Sequence, residues 1–318
     1  MAQNKPTIII VGVSDVRGST NVAQCKSLIK LGFSVIPINY RTIINEHGDQ
    51  YLHRYLTTVV HNYKPILVLF SKCNGMHPQT METCSNMATT WFWLMDSIFV
   101  AKQINALQYV SSCHLASATA PDVVEYFKTV NPNSFHIIEG LDSDVLHPVE
   151  PVEELKCDIS FIGTRTPERD SYFVALKEAG FNVKFFGPQY SGSNVVDEDF
   201  AKVCASSKFA LSLNTYNSIP FYYSDRVIRL LGCGVCTFHL DTTGTINNYF
   251  EDGKEIVYFT NPDDLIAKLK NIDNETVAKI ALTGRDKILK NYLWEHQLMK
   301  LLKIVESGHA SLQQTPVV

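Results

Sequence analysis

The sequence predicts two α/β domains, each a doubly wound parallel sheet covered by helices on both faces. Three observations carry this expectation. Short β-branched runs alternate with helix-period segments in both halves, the alternation breaks once over residues 139–157, and 318 residues at 45% hydrophobic content exceed what one core usually organises.

The first domain, placed at 1–148, opens on "TIIIVGV", a polar lead into a short apolar run. That pattern suits a buried first strand and not a signal peptide, so a cytoplasmic chain is expected. "VAQCKSLIKLG", "FSVIPIN", "QYLHRYLTTVVHNY", "ILVLFSK", "QTMETCSNMA" and "TTWFWLMD" then alternate helix and strand. Strands separated by helices are joined by crossovers, which makes the sheet parallel and buried on both faces. "EGLDSDVLHPVEPVEELKC", with two prolines and no helical period, reads as a linker.

The second domain, placed at 149–306, begins with the strand "CDISFIG" and the helix "PERDSYFVALKEAG", which has proline early and glycine at its end. "NVKFFG", "DEDFAKVCASS", "KFALSLN", "DRVIRLLGCG", "VCTFHL", "EIVYF" and "NPDDLIAKLKNI" continue the alternation. Helical patterns at 274–290 and 292–306 follow, the last free to pack back on the first domain, and 307–318 reads as a flexible tail. No apolar run reaches the length of a membrane span. Two such domains are expected to bind ligands in a cleft at the carboxyl ends of their strands.

A formal net charge of −4 excludes a global basic field, though not a local basic patch. Eight cysteines in apolar contexts fit reduced core thiols.

Four places carry candidate chemistry. The loop "GTRTPER" leaves the first strand of the second domain and enters a helix. Gly163 permits close backbone approach, Thr164 lies in the loop, and Arg165 and Arg169, four apart, are expected to share a helix face and grip a diphosphate. A capped helix whose arginines pair with carboxylates such as Glu168 is the alternative. In "YSDRVIRLLGCGVC", Ser224 or Asp225 is expected to cap a helix with Arg226 in its first turn. A cation there is misplaced unless an anion is near, so Arg226 points to a phosphate, with pairing to Asp225 as the alternative. Cys233 and Cys236 have no second Cys or His pair at ligand spacing, so they are expected to pack a helix-to-strand turn, and no metal site is expected.

In the first domain "VGVSDVRGSTN" lacks the dinucleotide glycine pattern, leaving Gly18 and Ser19 as candidate ligand contacts in its loop. "SKCNGMHP" ends the third strand with Lys72, Asn74 and His77, and "WFWLMD" ends the fourth with Asp96. His77 and Asp96 are candidate general bases, Asp96 beside an expected aromatic, partly dehydrated rim; turn or cap roles are the alternative.

These second-domain segments, in order over residues 157–298, resemble the CgeB-like glycosyltransferases, a group with the GT-B fold of two Rossmann-like domains. "RGSTNVAQCKSLIKLGFSVIPIN", "PILVLFSKCNGMHP" and "EGLDSDVLHP" extend a weaker likeness into the first domain. The resemblance implies a nucleotide-diphosphate sugar donor, a UDP-sugar first, on the second domain, an acceptor on the first, and no tightly bound cofactor or metal. Arg165 and Arg169 are similar to the diphosphate-gripping pair of phage DNA β-glucosyltransferase. The family helix reads R-x-x-E with the glutamate on the ribose; here Arg226 matches but Arg229 stands at the glutamate, leaving Asp225 as its substitute. The "SDR" start resembles phage-encoded members, which implies 5-hydroxymethylcytosine in double-stranded DNA as acceptor and a host cytoplasm. Lys72, Arg41 and Arg17 would then meet the DNA phosphates. A cell-surface glycan or protein acceptor is the alternative. A sugar-nucleotide epimerase of the same fold stays open, while a non-catalytic two-domain receptor is disfavoured by the basic loop and the expected lack of a signal peptide.

Overall fold

The computed structural model describes residues 5–312, the last four as backbone only. The chain forms two compact units, Met1–Glu139 with Trp294–Val318, and Gly140–Leu293. Among the described residues, no helix is long and apolar enough to cross a membrane.

Unit 1 holds β1 (Thr7–Gly12), β2 (Ser34–Asn39), β3 (Leu67–Ser71), β4 (Thr90–Leu94), β5 (Leu115–Ala118) and β6 (Ser134–His136). They form one parallel sheet in the order β2-β1-β3-β4-β5-β6. The order reverses between β1 and β3, so the loops after these strands flank the switch point where doubly wound sheets bind ligands. On one face Ile8, Ile10, Leu67, Leu69, Trp91 and Trp93 form a core with Trp294, Leu298, Leu301 and Leu302 of the helix Trp294–Leu312. Trp93 and Trp294 meet edge to face at 5.7 Å. Truncating fully buried Leu298 to alanine should therefore cost about 2–5 kcal/mol. The helix runs beyond position 307 to Leu312; the rest of the expected tail, 313–318, lies outside the described residues.

Unit 2 holds β7 (Cys157–Ile162), β8 (Val183–Phe186), β9 (Ser207–Ser212), β10 (Cys236–Leu240) and β11 (Val257–Phe259). All are parallel, in the order β11-β10-β9-β7-β8, with the switch point between β7 and β9. Ile159, Phe161, Phe209, Leu211 and Phe238 pack on Tyr172, Leu176, Leu265 and Leu269 from the covering helices. Both sheets thus have the doubly wound parallel form that the strand–helix alternation predicts.

Candidate functional site

In unit 2 the candidate site is built where β7 and β9 end. The loop after β7 reaches Thr166, whose extended backbone (φ −143°) and side-chain acceptance of the Arg169 N–H at 3.2 Å cap the helix Pro167–Glu178. Arg169 turns inward and is only 2% exposed. Its Nη1 donates to Thr164 O at 2.7 Å and Thr164 Oγ1 at 2.9 Å, and its Nη2 donates to Leu213 O at 2.7 Å, while Nε is buried without a partner. Burial pulls its pKa below the ordinary arginine value.

Arg226 opens the helix Arg226–Gly232 and reaches back to the strand ends. Its Nε donates to Ile162 O at 2.6 Å and its Nη1 donates to Leu213 O at 2.9 Å. Burial, then the positive charge of Arg169, pushes its pKa down to about 10. Both guanidinium carbons lie over the Phe161 ring, at 5.1 Å for Arg169 and 4.9 Å for Arg226. Among the described residues neither arginine has a carboxylate within ion-pair distance, and Arg226 Nη2 has no hydrogen-bond partner. Two cations, Arg169 buried and Arg226 partly so, converge on carbonyl oxygens and one ring face, an arrangement that an anion would complete. Gly163 leaves room for it, since a Cβ there would stand 2.7 Å from Arg226 Nη2.

The structure corrects several expected partnerships. Arg165 does not share a face with Arg169. It precedes the helix, is 57% exposed on its side chain, and pairs through Nε with Asp170 Oδ2 at 2.8 Å. Tyr190 donates to the other oxygen of Asp170 at 3.1 Å. Asp225 occupies the cap position of the helix Arg226–Gly232 but makes no side-chain cap bond; its carboxylate instead pairs with Arg229 Nη2 at 2.7 Å. The carboxylate proposed for a ribose is thus already engaged. Ser224 does not cap either: its N–H donates to Asn214 Oδ1 at 3.0 Å, and its Oγ accepts from Arg226 Nη1 at 3.4 Å. The misplaced cation at a helix start is resolved by strand-end carbonyls, since Arg226 faces Ile162 O and Leu213 O.

Sequence reasoning missed Leu213 O, Phe161 and Asn214. Asn214 ties the loop after β9 by accepting from Ser224 N and donating to Tyr222 O at 3.1 Å. The one signal for it was a polar residue ending the apolar run "KFALSLN". Cys233 and Cys236 are buried free thiols, and burial pushes Cys236 up to about 12. Among the described residues no group of three or more His, Cys, Asp or Glu could hold a metal ion.

In unit 1 Gly18 adopts the left-handed region (φ 76°) and Ser19 caps the helix Thr20–Lys30, accepting from Asn21 N at 3.3 Å and donating to Val13 O. Asn21 Oδ1 takes the Val13 N–H at 2.8 Å and Asn39 Oδ1 takes the Ser14 N–H at 2.6 Å. The early amides of this loop are therefore spent on its own bracing. His77 caps the helix Pro78–Ser85, its Nδ1 accepting from Gln79 N at 3.2 Å. A neutral ring in that bond carries its proton on Nε2 and is a donor outward, the cap role and not the base. Asp96 follows β4, 32% exposed, with Oδ2 paired to Lys72 Nζ at 2.9 Å. The expected aromatic rim is absent, because Trp91, Phe92 and Trp93 are all fully buried within the sheet. Asp96 Oδ1 has no hydrogen-bond partner among the described residues.

Residues 165–303 match the family described as Glycosyl transferase-like. No curated protein matches the chain. Among solved structures, sucrose-phosphate synthase from Thermosynechococcus elongatus is similar with a TM-score of 0.67 at 11% identity, covering 96% of this chain and 100% of that one. A glycosyltransferase from Rickettsia africae gives 0.66 at 14% identity over 96% of this chain and 99% of its own. A mutant TarM from S. aureus, in complex with fondaparinux, alpha-GlcNAc-glycerol and UDP, gives 0.55 at 12% identity over 80% and 58%. The family match spans the residues that carry Arg169 and Arg226, and the structural likeness shows that the chain has the GT-B fold.

Proposed function

We propose that this chain is a glycosyltransferase that takes a nucleotide-diphosphate sugar, a UDP-sugar first, with Arg169 and Arg226 meeting the diphosphate, and transfers the sugar to an acceptor hydroxyl bound by unit 1. The observation that carries this is the convergence of two carboxylate-free guanidinium groups on Leu213 O. The solved structure of TarM with UDP supports the choice of nucleotide.

In the reaction the acceptor oxygen forms a bond to the anomeric carbon as the bond from that carbon to the β-phosphate oxygen breaks. The electron pair leaves on the nucleotide diphosphate. Negative charge grows on the phosphate, and preplaced cations on a low-dielectric ring and carbonyl platform stabilise it more than water does. The acceptor proton goes to Asp96 Oδ1, the open oxygen of a carboxylate whose other oxygen is held.

Lys72, one of three cations expected to meet DNA phosphates, is already paired with Asp96, and Arg41 contacts Tyr40 Oη at 3.5 Å. A glycan hydroxyl and 5-hydroxymethylcytosine in duplex DNA are the two acceptors to compare. The test is thermal unfolding against UDP-, GDP-, ADP- and TDP-sugars, followed by turnover of the best donor with glycans and with hydroxymethylated DNA. Stabilisation without any nucleotide-diphosphate release would favour a receptor and contradict the transferase.

A further inference from the structure

We infer that Lys72 is a positioning residue for the transfer, and that a strained turn of the backbone exists to hold it on Asp96. Lys72 acts in this way only if Asp96 is the base, the reading proposed above. Lys72 and Cys73 both adopt left-handed conformations, with φ of 63° and 52°. Non-glycine residues avoid this region, and two in succession persist only where surrounding structure over-determines them.

Five neighbours do so here. Lys72 N donates to Trp93 O at 2.9 Å, and Cys73 N donates to Ser71 O at 2.7 Å. Cys73 Sγ contacts Val11 O at 3.2 Å from a fully buried position. Gly75 N donates to Tyr109 Oη at 3.2 Å, and Tyr40 Oη donates to Asn74 Oδ1 at 3.2 Å. The turn is thus pinned to β1, β4 and the segments around Tyr40 and Tyr109. What it delivers to the surface is one ammonium, 2.9 Å from Asp96 Oδ2 at the end of the adjacent strand. An ordinary surface ion pair would not require a strained backbone. Holding Oδ2 fixes the plane of the carboxylate and directs the lone pairs of Oδ1 outward, which is what a proton acceptor needs.

The test uses the full chain and the nucleotide sugar giving the largest thermal shift, with water as acceptor and nucleotide-diphosphate release as readout. Lys72→Met should lower kcat on the order of 10²-fold while leaving the donor KM within about threefold. Lys72→Arg should regain most of the loss. Lys72→Gly, which suits the left-handed conformation, should unfold at or above the wild-type temperature and yet be as slow as Lys72→Met. A Lys72→Met chain with wild-type kcat overturns the inference, and so does a loss of kcat that tracks a lowered unfolding temperature across all three variants. Asp96→Asn runs in parallel. If it is inactive while Lys72→Met is active, the positioning role alone fails; if Asp96→Asn is active, the base reading fails and takes the Lys72 role with it. A wild-type chain that releases no nucleotide diphosphate from any sugar of the panel contradicts both.

Discussion

Arg169 and Arg226, fifty-seven residues apart in the chain, donate to one backbone oxygen, Leu213 O, at 2.7 and 2.9 Å. Like charges are brought together this closely at a cost that no carboxylate offsets. Arg169→Ala and Arg226→Ala should each lower turnover on the order of 10²-fold, measured by nucleotide-diphosphate release. Arg226→Lys should not rescue, because separate nitrogens of the planar fork serve Ile162 O and Leu213 O.

Arg165 is expected to behave differently from Arg169. Its exposed pair with Asp170 is solvent-screened, so Arg165→Ala should leave turnover within about threefold of wild type. A loss equal to that of Arg169→Ala in the same assay would restore Arg165 to the diphosphate grip.

Gly163→Ala places a methyl group 2.7 Å from Arg226 Nη2 and 3.0 Å from the Phe161 ring. Arg226 is anchored by two short bonds and cannot simply swing aside. The variant should fold, by circular dichroism, and lose at least about 10-fold in turnover. Full activity would mean that Arg226 need not hold its observed position.

His239 on β10 is fully buried with neither ring nitrogen hydrogen-bonded, and burial, reinforced by Arg226 and partly opposed by Asp241, pulls its pKa from 6.5 to about 4. The folded pKa is the lower one, so on acidification the unfolded chain binds the proton first. Its contribution to stability is intact above about pH 6.5 and falls away towards pH 4, by up to about 3 kcal/mol. Denaturant melts across that window should be flatter for His239→Phe than for wild type; parallel curves would refute the assignment.

Cys233→Ser with Cys236→Ser should keep turnover near normal and lower the unfolding temperature, since each buried hydroxyl costs about 1–3 kcal/mol without a partner. One equivalent of zinc in the wild-type protein, lost in the double variant, would contradict the packing role.

Much of the fold was legible because β-branched runs such as "TIIIV" and "ILVLF" alternate with helix-period segments, and that pattern alone forces parallel strands under helices. The site was legible in residue identity but not in partnership. Arg165 and Arg169 have helical spacing, yet the helix starts at Pro167, so the periodicity rule never applied to Arg165. "WFWL" suggested an aromatic rim, but a central strand buries both faces and brings no ring to its end. Leu213 contributes a carbonyl, which no side-chain pattern can announce. The left-handed pair at Lys72 and Cys73 was hidden for a similar reason: neither residue type signals that conformation, which long-range contacts from β1 and β4 impose.

Calorimetric titration of UDP and UMP into the wild-type chain and into Arg226→Ala shows whether Arg169 and Arg226 form the diphosphate site. Wild type should bind UDP at least about 10-fold more tightly than UMP, the increment of a charge-assisted β-phosphate contact, and Arg226→Ala should lose most of this preference. Equal affinity for UDP and UMP in wild type, or an undiminished preference for UDP in Arg226→Ala, would contradict that assignment.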